Sequence, residues 1–122
     1  MNHNGVISLP SDGATAYLSG EVVSINSSGQ AVGNAAAKGL GVVLQDVDAT
    51  ETDRPIDIQL FSGGGMALVM ANGSGTPIAV GDNVGFANGA KVVIKNGTTA
   101  VGYATEATSS ATGLIRVIIC QP

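Results

Sequence analysis

From Thr76 to Ile119 the chain reads TPIAVGDNVGFANGAKVVIKNGTTAVGYATEATSSATGLIRVII, a series of short apolar runs that turn residues interrupt every few positions. Asn88-Gly89 lies between Val84-Gly85-Phe86 and Lys91-Val92-Val93-Ile94, and this dipeptide suits the two positive-φ positions of a type I′ turn, so a hairpin is expected there. The polar run Thr108 to Thr112 separates Ala100–Ala107 from Leu114–Cys120 and predicts a second hairpin. Val101 and Tyr103, like Ile115, Val117 and Ile119, recur at the two-residue spacing of one strand face. On the other face of the last strand Leu114, Ile118 and Cys120 surround Arg116. Both faces are therefore largely apolar, as in a central strand or one covered by another subunit, and these four residues are the subunit-interface candidates.

The rest of the chain repeats this character. Residues 1–10 carry only Val6, Ile7 and Leu9 as sizeable apolar groups, and Pro10-Ser11-Asp12-Gly13 reads as a break, so an N-terminal arm (1–10) is expected ahead of a β-domain (11–122). Asn26-Ser27-Ser28-Gly29 predicts a turn between two short strands. Ala35–Lys38 lies between Gly33 and Gly39 and has room for one helical turn. Leu40–Val47 is a strand candidate, and Ile56, Ile58 and Leu60 alternate with Asp57, Gln59 and Phe61 in the next, with an acidic loop Asp48–Pro55 joining them. Ser62 to Gly65 ends that strand, Met66–Met70 is another, and Ala71–Gly75 a turn. No segment shows the 3.6-residue spacing of a long helix. The expected class is all-β: a single compact β-sandwich or barrel-like domain of about eight to ten short antiparallel strands with an extended N-terminal arm.

Composition narrows the function classes. Hydrophobic residues make up 44% of the 122 but aromatics only 3%, so Val, Ile, Leu and Ala must build the core. Charged residues are 11%, far below the ~25% of an ordinary soluble domain, which suits a surface buried against other proteins. Asp46, Asp48, Glu51, Asp53 and Asp57 against Arg54 account for the whole net charge of −4. The five cations are scattered singly, so no basic patch is available to neutralise phosphates, and neither nucleic acid nor an anionic membrane is an expected partner. No apolar run reaches the ~18 residues of a membrane span, and the N-terminus shows no signal-peptide pattern, so a cytosolic site of synthesis is expected.

Nucleophilic catalysis with a histidine base needs a histidine beside serine, threonine or cysteine, and the only histidine, His3, lies in the arm, which excludes most such sites. The acidic cluster holds carboxylates for acid–base work or calcium, but it lacks the turn glycine and terminal glutamate of a calcium loop and reads better as a solvated loop. Gly63-Gly64-Gly65 and Gly39-Leu40-Gly41 lack the lysine and hydroxyl of a phosphate loop and read as strand breaks. Tyr17, Phe61, Phe86 and Tyr103 are either core plugs or a sugar-stacking platform, the former being favoured. The single Cys120 reads as an inert core thiol, and the Asn-x-Ser/Thr matches at Asn26, Asn72 and Asn96 as turn chemistry. No metal or cofactor is expected.

Five segments taken together carry a resemblance: Gly20-Glu21-Val22-Val23, Gly41-Val42-Val43-Leu44, Asp46-Val47-Asp48-Ala49, the run Pro77-Ile78-Ala79-Val80-Gly81-Asp82-Asn83-Val84, and Val101-Gly102-Tyr103-Ala104-Thr105-Glu106-Ala107 ahead of a final apolar strand. In this order, over about Ser19 to Ile119, the chain resembles the head decoration, or capsid cement, proteins of tailed bacteriophages. The resemblance implies a non-enzymatic virion protein, made in the bacterial host cytoplasm, that binds the major capsid protein on the outer surface of the assembled, expanded shell in many copies as a homotrimer. On that reading the arm, through His3, Val6, Ile7 and Leu9, is expected to add as a strand to a capsid edge. The competing expectations are a carbohydrate- or surface-binding β-module of a phage fibre or adhesin and, behind it, an enzyme using the acidic cluster.

Overall fold

Short β-branched runs cannot bury themselves alone; they must pair, and a set of pairs that closes on itself leaves no edge. A computed structural model of the protein describes residues 5–13, 16–33, 41–47, 52–86, 91–97 and 99–120. Among them the chain does this twice. Strands β1 (Val6–Asp12), β2 (Val22–Ile25), β3 (Ala31–Gly33), β4 (Gly41–Val43) and β5 (Thr52–Leu60) close a barrel in the order β1-β3-β2-β4-β5. After a 3₁₀ turn at Phe61–Gly63, strands β6 (Gly65–Ala71), β7 (Asn83–Phe86), β8 (Val93–Lys95), β9 (Thr99–Ala104) and β10 (Gly113–Ile119) close a second in the order β10-β6-β8-β7-β9. The class is all-β, and the neighbours pair antiparallel except β1 with β3 and β6 with β8.

The two barrels are one design used twice. Antiparallel pairing of β1 with β5 sets Ile7 against Ile58 and Leu9 against Ile56; β6 with β10 sets Ala67 against Val117 and Val69 against Ile115. A shift of 61 residues carries the isolated bridge Tyr17–Val47 onto Ile78–Thr108. The turns entering β2 and β7 also match. Gly20 and Gly81 take φ of 96° and 90°, and the carboxylate after each accepts a hydrogen bond from a backbone N–H three residues earlier, Leu18 to Glu21 and Ala79 to Asp82, both at 2.8 Å. Asp82 also faces Lys95 at 3.5 Å. Asp82→Ala is expected to lower stability by about 1 kcal/mol and Asp82→Asn, which keeps the acceptor, by less, as read from urea unfolding midpoints.

The cores are joined through strands buried on both sides. Val23 and Val43 point into the first barrel with Tyr17, Ile56 and Ile58, while their neighbours Val22 and Val42 join the core of the second with Phe61, Val69, Phe86 and Val117. This is why Val22-Val23 and Val42-Val43 are continuous apolar pairs instead of an alternation. Phe61 stacks on Phe86 across the junction with centroids 6.2 Å apart. Backbone bonds tie it as well, Val22 N–H to Lys91 O at 2.7 Å and Met70 N–H to Gly20 O at 2.8 Å.

Three expectations are corrected here. Residues 6–10 are not an arm: they form most of β1, whose backbone is already paired to β5 and whose Ile7 and Leu9 pack on the first core with Leu60. Pro10, taken for a break, stands opposite Pro55, and the irregularity is a register shift between Pro10 and Asp12. The acidic connection is shorter than Asp48–Pro55, because β5 starts at Thr52. Tyr103 does not share Val101's inward face. β9 carries an extra residue opposite Val84 and Gly85, since these pair with Gly102 and Ala100, and the bulge turns Tyr103 outward while Val101 and Ala104 stay buried.

The hairpin of β9 and β10 is present, with Val117 opposite Ala104. β7 and β8 also pair as a hairpin, but Phe86 meets Val93, a longer connection than a two-residue turn would set. Asn88-Gly89 and Ala35–Lys38 lie outside the described residues.

Candidate interaction surfaces

In β10 strict alternation sends Ile115, Val117 and Ile119 inward and Leu114, Arg116 and Ile118 outward, with Cys120 exposed just beyond. The four sequence candidates therefore do share one outer face. Cys120 is consequently not a core thiol, because the period of two that buries Ile119 turns its neighbour out.

Pairing extends this face across three strands. Met66 lies opposite Ile118, Leu68 opposite Arg116, and Tyr103 opposite Ile118 on its other side. Met66, Leu68, Tyr103, Leu114 and Ile118 are each 45–52% exposed. A contiguous apolar patch of this kind marks an interaction site far better than single exposed side chains do. Arg116 sits at its centre, its guanidinium 3.7 Å from the Glu106 carboxylate, whose other oxygen accepts the Arg116 backbone N–H at 2.8 Å. Both side chains are about half exposed, so the ion pair adds little stability and remains available to a partner. Beside the patch a groove of about 300 Å³ opens at the junction of the barrels, lined by Ser19, Leu44, Gln59, Met66, Leu68 and Arg116.

A larger cleft of about 650 Å³ lies on the first barrel between Tyr17, Glu21, Asp46, Arg54 and Lys91. Its carboxylates are committed to backbone, Glu21 accepting from Leu18 N–H and Asp46 from Ser19 N–H, both at 2.8 Å. Lys91 donates to Ala16 O at 3.2 Å and lies 5.6 Å above the Tyr17 ring. No serine, threonine, cysteine or histidine is among these lining residues. Among the described residues no three His, Cys, Asp or Glu side chains gather as metal ligands. Asp48, Glu51 and the side chain of Asp53 lie outside the described residues, as does His3.

No protein-family model and no curated protein matches the chain.

The four aromatics divide three to one. Tyr17, Phe61 and Phe86 are buried as core plugs, leaving Tyr103 exposed, so they do not build a shared stacking platform. Asn26 and Asn72 do the turn chemistry expected of them: the Asn26 side-chain oxygen accepts from the N–H groups of Ser28 and Gln30, and that of Asn72 from Ser74 N–H, all at 2.9 Å. Met66 and Leu68 were not singled out in the sequence, where Met66–Met70 reads as one apolar run. Their exposure follows only from the pairing of β6 with the outward residues of β10.

Proposed function

We propose that the protein is a structural, non-catalytic virion component that binds the outer surface of an assembled, expanded phage capsid in many copies, as a homotrimer, and cements the shell. The observation that carries this reading is the half-exposed apolar face of β6, β9 and β10 on a rigid double barrel whose described carboxylates mostly serve its own backbone. The ordered segments that resemble decoration proteins supply the kind of partner, the major capsid protein. On this reading the contacts to the shell are made through that side-chain face.

A ligand that binds only the assembled lattice stabilises that state by RT ln(1 + [L]/Kd), about 2.7 kcal/mol per site at a hundredfold excess over Kd. Summed over the sites of a shell, modest contacts give large resistance. The test is the mass of the purified 12.0 kDa chain by light scattering, followed by sedimentation with undecorated expanded capsids and with unexpanded ones. The expected result is a trimer that pellets with expanded shells. A protein that stays in the supernatant with both would overturn the reading. The alternative of a glycan-binding module is less well supported, since Tyr103 is the one exposed aromatic ring among the described residues.

A further inference from the structure

Because the barrels share one topology, the outer face of β6 and β10 has a counterpart on β1 and β5. Matching the registers places Val6 and Gln59 where Met66 and Ile118 stand, Ser8 and Asp57 where Leu68 and Arg116 stand, and Pro10 and Pro55 where Met70 and Leu114 stand. Val6, Pro55 and Asp57 are exposed, as Met66, Arg116 and Ile118 are. The central position of the two faces therefore carries opposite charge, Asp57 on the first barrel and Arg116 on the second. Among the described residues no cation pairs with Asp57.

We infer that copies of this chain associate head to tail, the β6–β10 face of one packing on the β1–β5 face of the next with Arg116 reaching Asp57. A second copy is favoured over other occupants by this complementarity. Two β6–β10 faces meeting about a two-fold axis would bring their Arg116 side chains together at the centre of the contact, whereas the β1–β5 face supplies a carboxylate there. The guanidinium has five N–H donors, so it can keep Glu106 and accept a second carboxylate. Met66, Leu68, Leu114 and Ile118 then lose their exposure against a face that presents Val6 and Pro55. Such a contact uses two different patches, and it closes into a ring when the rotation between copies allows.

The inference rests on the multi-copy part of the proposed function and not on the capsid. It is tested on the full chain by sedimentation velocity over a concentration series for the wild type, Asp57→Arg, Arg116→Asp and the two changes combined. Each single change is expected to weaken association about tenfold or more, and the combined swap to restore it, with unfolding midpoints confirming that all four are folded. Singles that associate like the wild type, a swap that fails to recover, or a wild type that stays monomeric throughout would each overturn the inference. Capsid sedimentation is scored separately: an assembled protein that ignores capsids defeats capsid binding and leaves this contact standing, whereas a capsid-bound monomer defeats this contact and the homotrimer and leaves capsid binding standing.

Discussion

Gly102→Ala should leave little or no folded protein. Gly102 lies in β9 where β10 crosses closest, and a Cβ there would overlap the Ile118 carbonyl oxygen while lying 2.8 Å from the Ile118 carbonyl carbon and 3.0 Å from the Cys120 nitrogen. All three are backbone atoms, of β10, which is paired to β6 and to β9, or of Cys120 just beyond it, so none can swing away as a side-chain tip would. Relief requires parting two barrel strands, at a cost we place above about 3 kcal/mol against a total stability of about 5–15 kcal/mol. Gly41, the matching residue in β4, meets the Gln59 carbonyl in the same way and should behave alike. Gly29→Ala is the control. It has φ of 80° but nothing within 4 Å of its Cβ, so it should cost only about 1 kcal/mol of backbone strain. Urea unfolding followed by circular dichroism gives all three numbers. A Gly102→Ala protein with a near wild-type midpoint would mean that β9 and β10 do not approach as described.

The second large effect is expected at Phe86. The ring is fully buried in the second core and stacks on Phe61, which arrives from the turn joining the barrels. Phe86→Ala removes both the core volume and the junction contact and should cost about 3–5 kcal/mol. Phe61→Ala should cost nearly as much, and the double mutant should lose less than the sum by about 0.5–1.5 kcal/mol, the coupling of an aromatic pair. Since Val22 and Val42 of the first barrel also belong to the second core, the wild-type chain should unfold in one transition. Calorimetry distinguishes this from two independently melting barrels, which would show as separate peaks and a calorimetric enthalpy exceeding the van't Hoff value.

Where neighbours in sequence are also neighbours in space, much of this architecture was legible. The β9–β10 hairpin, the alternation of Ile56 and Ile58 in β5, and the turns built on Asn26 and Asn72 follow from local chemistry. What failed depended on distant partners. Val6–Pro10 resembled an arm because the strand that claims it, β5, begins forty residues later, and only pairing with Ile58 and Ile56 reveals Ile7 and Leu9 as core. Tyr103 was put on the wrong face because a bulge resets the period of two, and no local residue announces it. The repeated topology is faint in the sequence: Gly20-Glu21-Val22-Val23 and Gly81-Asp82-Asn83-Val84 share only a glycine, a carboxylate and a valine three positions after the glycine. A glycine, a carboxylate and a valine are all that the shared turn demands, and the other positions suit different neighbours. The same holds for the candidate surface. The sequence placed Leu114, Arg116 and Ile118 together, but Met66 and Leu68 joined them only through β6.

The joint between the barrels also limits how the molecule can propagate. Met70 N–H donates to Gly20 O there, and the first-barrel residue that matches Met70 is Pro10, which has no N–H to give. Val22 and Val42, the plugs of that joint, are matched in the second barrel by Asn83 and the outward Tyr103. A following molecule that tried to stack as the two halves stack would find a missing donor on one side and a polar, mismatched plug on the other. Stacking with the geometry of this joint therefore does not extend beyond the two described barrels. A protein built from a stackable module is thereby kept from growing into an open-ended fibre by that route, and its copies are left to meet through other surfaces.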